Sequence, residues 1–352
     1  MAALNADFWR GKRVLLTGHT GFKGAWAAIW LTRLGAEVTG LALAADQAPS
    51  LFELASVGDL IDSHILDLRD RTAVSHFVGG REFDLVLHMA AQPIIRVAIE
   101  APVDTFASNI MGTAHLLDAL RGKPLAAALV VTSDKVYANA DNGRAFTETD
   151  PMGGKDPYSA SKAAAEIVTQ SFASSYFTPT GVALATARGG NVIGGGDFSR
   201  DRIVADIVRA ARAGEAVVLR HPEATRPWQH VLDCLAGYFG YLEALATDPG
   251  APHALNFGPR PSGAEVTVGE LATLSIAALG GEPWRHEPDP GSLEARSLAI
   301  DAALAKRAIG FESRLDTSAA VTLTMDWYHR QAAGEDALSL CRAQIEAYEA
   351  GR

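Results

Sequence analysis

The apolar positions of the chain fall into two patterns that take turns. Short compact runs occur at Val14 to Thr17, Val38 to Leu43, Leu85 to Met89, Ala126 to Val131 and Val182 to Ala187. Runs of this length without polar alternation are the mark of strands buried on both faces. Between them the spacing becomes helical. Trp26, Ile29, Trp30 and Leu34 mark the apolar face of an amphipathic helix that Gly35 closes. Up to residue 187 the alternation is regular, which predicts an α/β fold built on a doubly wound parallel sheet. Beyond it the pattern loosens. Ile203, Ile207 and Ala210 give a helix, Ala216 to Leu219 a strand, and Arg226 to Asp233 lead into another helix. Asn256-Phe257-Gly258 ends a short strand, and from Val266 helices alternate with Pro- and Gly-containing turns, with an exposed tail after Gly334. The expected division is a first domain over 1–187, to which 230–258 returns, and a smaller C-terminal lobe made of 188–229 and 259–352.

Polar chemistry appears where the apolar runs stop. Thr132 extends the run Ala126 to Val131, and Ser133-Asp134-Lys135 come directly after it. In an open α/β sheet, ligands sit outside the carboxyl ends of the strands, where these three side chains emerge. Further on, Asp156 and Pro157 have the character of an N-cap and first helical residue. Tyr158 and Lys162 then share one helix face. An ammonium beside a phenol favours the phenolate, so the pair can serve as a general base near neutral pH. Upstream, Gly18-His19-Thr20-Gly21-Phe22-Lys23-Gly24 lies between a strand and a helix, the context a Rossmann-type dinucleotide fingerprint requires. Its glycines let the backbone approach a pyrophosphate, whose charge meets the helix N-terminus. The acid that selects NAD over NADP belongs after the second strand; there the chain reads Leu43-Ala44-Ala45-Asp46, so the acid is Asp46 or is missing. No Arg stands there to meet a 2′-phosphate, which favours NAD.

Composition narrows the field. A 352-residue chain with 48% hydrophobic and 20% charged residues has a substantial core, and its net charge of -10 argues against a nucleic-acid partner. Cys234 and Cys341 have no metal or redox spacing and read as free thiols, with no metal implied. Met1 to Arg13 has no apolar segment of a signal peptide, and Ala25 to Leu31 is too short to span a bilayer. A cytoplasmic protein with no membrane contact is expected.

Together these motifs resemble the extended short-chain dehydrogenase/reductase family, and within it the nucleotide-sugar dehydratase branch typified by CDP-glucose 4,6-dehydratases. The resemblance runs through seven blocks in order: Phe8-Trp9-x-Gly11-Lys12-Arg13, the glycine turn Gly18 to Gly24, His88 to Pro93, Thr132 to Lys135, Met152 to Lys162, Gly190 to Asp197, and Arg226 to Val231. It implies NAD as cofactor, contacted by Gly18, Thr20, Gly21, Phe22, Gly24, Asp46, Asp67, Leu68, Ala90, Ala91, Gln92, Asn109, Thr132, Tyr158, Lys162 and Arg188. It implies a nucleotide-sugar substrate, with Asn191, Arg202 and Arg226 on the diphosphate and Gln92 and Arg296 as further contacts. It also implies an intramolecular redox reaction in deoxysugar biosynthesis, as used for lipopolysaccharide, in a homodimer or tetramer assembled through helices near Val103 to Leu120 and Ser159 to Tyr176. In this branch Tyr158, helped by Lys162 and Ser133, takes the C4 hydroxyl proton, and Asp134 and Lys135 serve loss of water across C5 and C6. Lys135 accepts a proton only when neutral; otherwise it steadies the enolate as a cation. One block departs: Leu293-Glu294-Ala295 stands before Arg296 to Asp301, where the branch carries His-Glu-Ala.

Two other functions fit parts of this pattern. A sugar epimerase needs Ser133, Tyr158 and Lys162 but neither Asp134 nor Lys135. A catalytically dead dinucleotide sensor of the same fold typically loses the Tyr or the Lys, and both are present.

Overall fold

The computed structural model describes residues 4–260, 266–289 and 295–351. Six strands, β1 (Arg13–Thr17), β2 (Glu37–Ala42), β3 (Asp62–Ile65), β4 (Leu85–His88), β5 (Ala127–Val131) and β6 (Ala183–Gly189), join the strand Ala254–Phe257 in one sheet. All neighbours are parallel, in the order Ala254–Phe257, β6, β5, β4, β1, β2, β3. The order reverses between β1 and β4, so the crevice above Thr17 and His88 is where a ligand is received. This is the doubly wound sheet that the strand–helix alternation predicts.

The two faces of the sheet carry two separate cores. Val14, Leu16, Leu87, Leu129 and Val131 face the helices Phe22–Arg33 and Val231–Thr247 and the C-terminal helices. Their sequence neighbours Leu15, Val86, Ala128 and Val130 face the helices Arg71–Gly79 and Gly112–Leu120. The period of two within each strand places alternate residues on opposite faces, and both are covered, which is why these strands read as unbroken apolar runs. After residue 187 the chain leaves the sheet and comes back through Val231–Thr247 and the strand Ala254–Phe257.

Two expectations are corrected. The helix Phe22–Arg33 is not amphipathic in the usual sense: Gly24 to Leu31 are all buried, because the helix lies between the sheet and the last helix. The segment after Gly334 is not an exposed tail. Asp336 caps a helix Ala337–Glu349 by accepting from Ser339 N, and Leu340, Cys341, Ile345 and Tyr348 are buried in the same core as Trp30. Tyr348 Oη donates to Asp233 at 2.6 Å and Trp30 Nε1 donates to Glu349 at 2.8 Å. Burying four such side chains is worth several kcal/mol at about 25 cal/mol per Å², enough to dock the helix. Among the described residues no helix is long and apolar enough to cross a membrane.

Candidate active site

The glycine turn is shaped by close approach. Gly18 has φ +79°, and a Cβ there would lie 2.8 Å from Ala90 N. A Cβ on Gly24 would lie 1.9 Å from Gly18 O, so only glycine lets the helix start against the turn. The helix N-cap is Gly21, which has no side chain to occupy the first-turn N–H groups. These donors, aimed along the helix dipole, suit a pyrophosphate. Phe22 is the first helical residue, and Thr20 Oγ1 donates to Leu43 O at 2.8 Å, tying the turn to the chain after β2. Asp46 is exposed four residues beyond the end of β2. Asp67 holds Arg69 at 2.7 Å, and that hydrogen-bonded guanidinium keeps its carboxyl below the usual range. Leu68 is buried, and its carbonyl accepts from His115.

The segment Ala90-Ala91-Gln92 is held by a polar chain whose protons can be assigned. Thr17 Oγ1 accepts from Met89 N and Ala90 N, both at 3.1 Å, so its own proton goes to His88 Nδ1 at 2.6 Å. His88 Nε2 then donates to Thr113 Oγ1 at 2.9 Å, which donates to Asn109 O. Burial, with the charge of Lys162 added, pushes His88 down to about 3, so the imidazole is neutral. The Asn109 side chain, in a turn of π-helix over Ala107–Met111, accepts from Gln92 N and donates to Gln92 O and Ser161 Oγ. The Gln92 amide itself donates to Thr105 and accepts from Ile94 N.

Opposite this segment, β5 delivers the polar triplet. Ser133 Oγ donates to Asp134 Oδ1 at 2.9 Å, and Lys135 Nζ donates to the same oxygen at 3.3 Å and to Asn191 Oδ1 at 3.4 Å. Asp134 is 1% exposed and its Oδ2 has no partner among the described residues. The facing helix, Pro157–Phe172, begins as its sequence predicts, with Asp156 capping Ser159 N and Pro157 at the first position. Tyr158 is buried, which pushes its phenol up; the Ser133 hydroxyl and the Arg202 charge pull it back, while Asp134 and Asp156 push it further up. Lys162 donates to Val131 O at 3.1 Å. Burial lowers its ammonium to about 7, with Lys23 adding to the effect and Glu166 opposing it. The structure thus brings Ser133, Asp134, Lys135, Tyr158, Lys162 and Asn191 to one place at the strand ends.

The remaining expected residues spread outward. Arg202 caps the helix Ile203–Ala213 and donates to Pro93 O at 3.5 Å. Arg226 is buried and donates to Thr225 O at 2.8 Å. Arg296 has an exposed side chain, and its main chain bridges Asp141 Oδ1 and Thr225 N. Leu293 and Glu294, in the departing block, lie outside the described residues. Arg188 has its terminal nitrogens committed to Glu166, Tyr137 Oη and Glu148 O, and its main chain pairs with the strand Ala254–Phe257. The loop Asn139 to Lys155 is strapped down: Phe146 bridges Ile300, Tyr137 bridges Met152, and Asn256 Nδ2 donates to Phe146 O and Asp301 O.

Glu166 escaped the sequence reading. Its carboxylate accepts from Thr132 Oγ1, Thr186 Oγ1 and Arg188 Nη2, all buried. Removing one partner of such a buried pair costs about 3–5 kcal/mol. The signal was present: Glu166 lies one turn beyond Lys162, as Lys162 lies beyond Tyr158, continuing the polar stripe on that helix.

Comparison with known proteins agrees with this geometry. The NAD dependent epimerase/dehydratase family model matches residues 14–258. The chain is 40% identical to the CDP-glucose 4,6-dehydratase of Salmonella typhimurium, over 98% of each chain. The UDP-glucose 4-epimerase of Thermus thermophilus, solved with NAD, superposes with a TM-score of 0.75 at 26% identity, covering 89% of this chain and 98% of that one. The dTDP-glucose 4,6-dehydratase of Bacillus anthracis, also with NAD, shares the fold at a TM-score of 0.76 and 20% identity, over 93% of this chain and 100% of that one. The first-turn N–H groups after Gly21, which no side chain caps, fit the pyrophosphate of NAD, and the chain belongs to the NAD dependent epimerase/dehydratase family.

Proposed function

We propose that the chain is an NAD-dependent nucleotide-sugar 4,6-dehydratase that converts CDP-glucose to CDP-4-keto-6-deoxyglucose and water. The observation that carries this reading is the pair of buried Asp134 and half-buried Lys135 beside Ser133 and Tyr158. An epimerase has no use for it. Likeness to the Salmonella typhimurium protein over 98% of the chain supports the choice of nucleotide. NAD, when bound on the Gly18–Gly24 turn, supplies the hydride acceptor for C4 and the donor for C6.

The residues do the proton work. Tyr158 takes the C4 hydroxyl proton, and a nearby ammonium on Lys162 favours the phenolate it needs. Water loss then requires a base at C5 and an acid at C6. Moving one proton along the Lys135–Asp134 contact turns the ion pair into those two groups, a neutral amine and a carboxylic acid, with no change in proton count. Lys135 removes the C5 proton, Asp134 protonates the departing C6 hydroxyl, and the pair returns to the ionic form seen in the structure. Lys135 later returns its proton to C5. At the end Tyr158 holds one proton more than at the start and the Asp134–Lys135 pair one fewer. Ser133, hydrogen-bonded to Asp134 and next to Tyr158, is placed to pass that proton across.

In this reading the lobe made of 188–229 and 259–352 receives the nucleotide sugar, with Arg202, Arg226 and Asn191 toward the diphosphate and Gln92 and Arg296 as further contacts. Exposed Val103, Met111, Ile167 and Tyr176, on the helices expected to pair, support a homodimer. The protein then works in the cytoplasm, in deoxysugar formation of the kind that feeds lipopolysaccharide. The test is a panel of nucleotide hexoses incubated with enzyme and NAD and scored by mass. CDP-glucose should lose one water; sugar of unchanged mass whose proton NMR spectrum shows an inverted C4 would support the epimerase instead. Arg226→Ala should weaken CDP binding roughly 10- to 100-fold, the worth of one charge-assisted hydrogen bond, with the melting temperature little changed. Unchanged CDP affinity by calorimetry would remove Arg226 from the diphosphate site.

A further inference from the structure

The helix Pro157–Phe172 is cross-linked to the end of β5 at two points one turn apart. Lys162 Nζ donates to Val131 O, and Glu166 accepts from Thr132 Oγ1. The next residue along the strand is Ser133, which must sit between Tyr158 and Asp134. The other Glu166 oxygen accepts from Thr186 Oγ1 and Arg188 Nη2, both at 2.8 Å, on β6. Arg188 is itself tied at 3.0 Å to both Tyr137 Oη and Glu148 O. Every side chain in this set except Glu148 is at least nine-tenths buried. A buried carboxylate held from three sides is a rigid spacer between helix and strand.

We propose that Glu166 is a positioning residue for the reaction: through Thr132 it fixes Ser133 beside Tyr158, where the Ser133 hydroxyl can turn from Asp134 to the phenolate. The Arg188 contact stops the carboxylate from turning away. This rests on the reading of Tyr158 as the base and is indifferent to which sugar it acts on.

A purely structural ion pair makes a different prediction, and two variants separate them. Thr132→Val and Thr186→Val each remove one hydroxyl of the same shape from the same carboxylate, and only Thr132 leads to Ser133. Both should lower the melting temperature by similar amounts. Thr132→Val should slow the first oxidation in a single turnover at least tenfold, with NAD and CDP affinities within twofold of wild type. Thr186→Val should stay within twofold in all three. A second readout needs no substrate. Ionisation of Tyr158, taken as the ultraviolet difference from a matched Tyr158→Phe protein, should move to higher pH in Thr132→Val and stay in place in Thr186→Val. The other groups facing that phenol, Arg202, Asp134, Asp156, Lys162 and Tyr238, are common to both variants. Equal slowing in the two variants would make Glu166 scaffold alone. Weakened NAD binding in Thr132→Val would make Thr132 a cofactor contact instead. If CDP-glucose is not the substrate, the wild-type mass assay fails while the tyrosine titration still decides this point.

Discussion

Tyr158→Phe should stop the reaction at its first step: no reduced cofactor appears after mixing with CDP-glucose, and no water is lost. In the proposed reading Tyr158 is the acceptor for the C4 hydroxyl proton and Asp134 is kept for the C6 hydroxyl. Lys162 is bound to Val131 O, and Asp134 Oδ1 already accepts from Ser133 and Lys135. General base catalysis is typically worth about 10²–10⁴-fold, and here the whole cycle depends on it. The fold should be spared, because burial of the ring is kept in Phe. Absorbance of reduced cofactor in a stopped-flow trace measures the effect, and melting temperature checks the fold. Oxidation at more than a tenth of the wild-type rate would show that another group accepts the C4 proton. A companion change isolates the cation. Lys162→Met should also slow oxidation, since the phenolate loses the ammonium that favours it, and the loss should ease as pH rises toward the intrinsic phenol range. The direction comes from burial, which already holds the Tyr158 phenol high.

Much of this site was legible because its parts are local. The apolar run ending at Val131, the cap Asp156-Pro157, and the four-residue step from Tyr158 to Lys162 are each written within a few positions, and local rules read them. The glycine turn was legible for the same reason, since a strand, a φ-positive glycine and a helix start succeed one another directly. The features that stayed hidden depend on distant partners. Arg188 directly follows the apolar core of β6, and only the folded sheet shows its guanidinium against Glu166 rather than at a ligand. Asn256, Tyr137 and Phe146 meet across more than a hundred residues, and no periodicity announces that. The C-terminal helix is a different case. Leu340, Cys341, Ile345 and Tyr348 have helical spacing, but Gly334 with the charged residues after it drew the boundary too early. The pairing of Lys135 with Asp134 was open in the sequence because a lysine's role depends on what faces it. The structure supplies a carboxylate and an amide oxygen, both within 3.4 Å.

That pairing makes the second large effect specific. Asp134→Asn should let oxidation proceed and block the elimination of water. Tyr158, Lys162 and Ser133 remain, so C4 is still oxidised. The amide has no proton of carboxylic-acid strength for the C6 hydroxyl, so water leaves slowly, by about 10²–10⁴-fold. Reduced cofactor should therefore accumulate on the enzyme together with a 4-keto hexose that has kept its C6 oxygen. Lys135→Met should reach the same state by the other route: it should also stop solvent deuterium from entering C5, because the group that exchanges that proton is gone. The two variants should differ in a second way. In Asp134→Asn the ammonium of Lys135 can no longer hand its proton to the carboxylate and must give it to solvent before it takes the C5 proton, so deuterium should enter C5 slowly while water is retained. Deuterium entry without water loss in Asp134→Asn, set against neither in Lys135→Met, is the signature of a base and an acid acting separately. If Asp134→Asn turns over at the wild-type rate, the acid lies elsewhere. If it loses the first oxidation as completely as Tyr158→Phe, the carboxylate serves Ser133 and Tyr158 rather than the C6 hydroxyl.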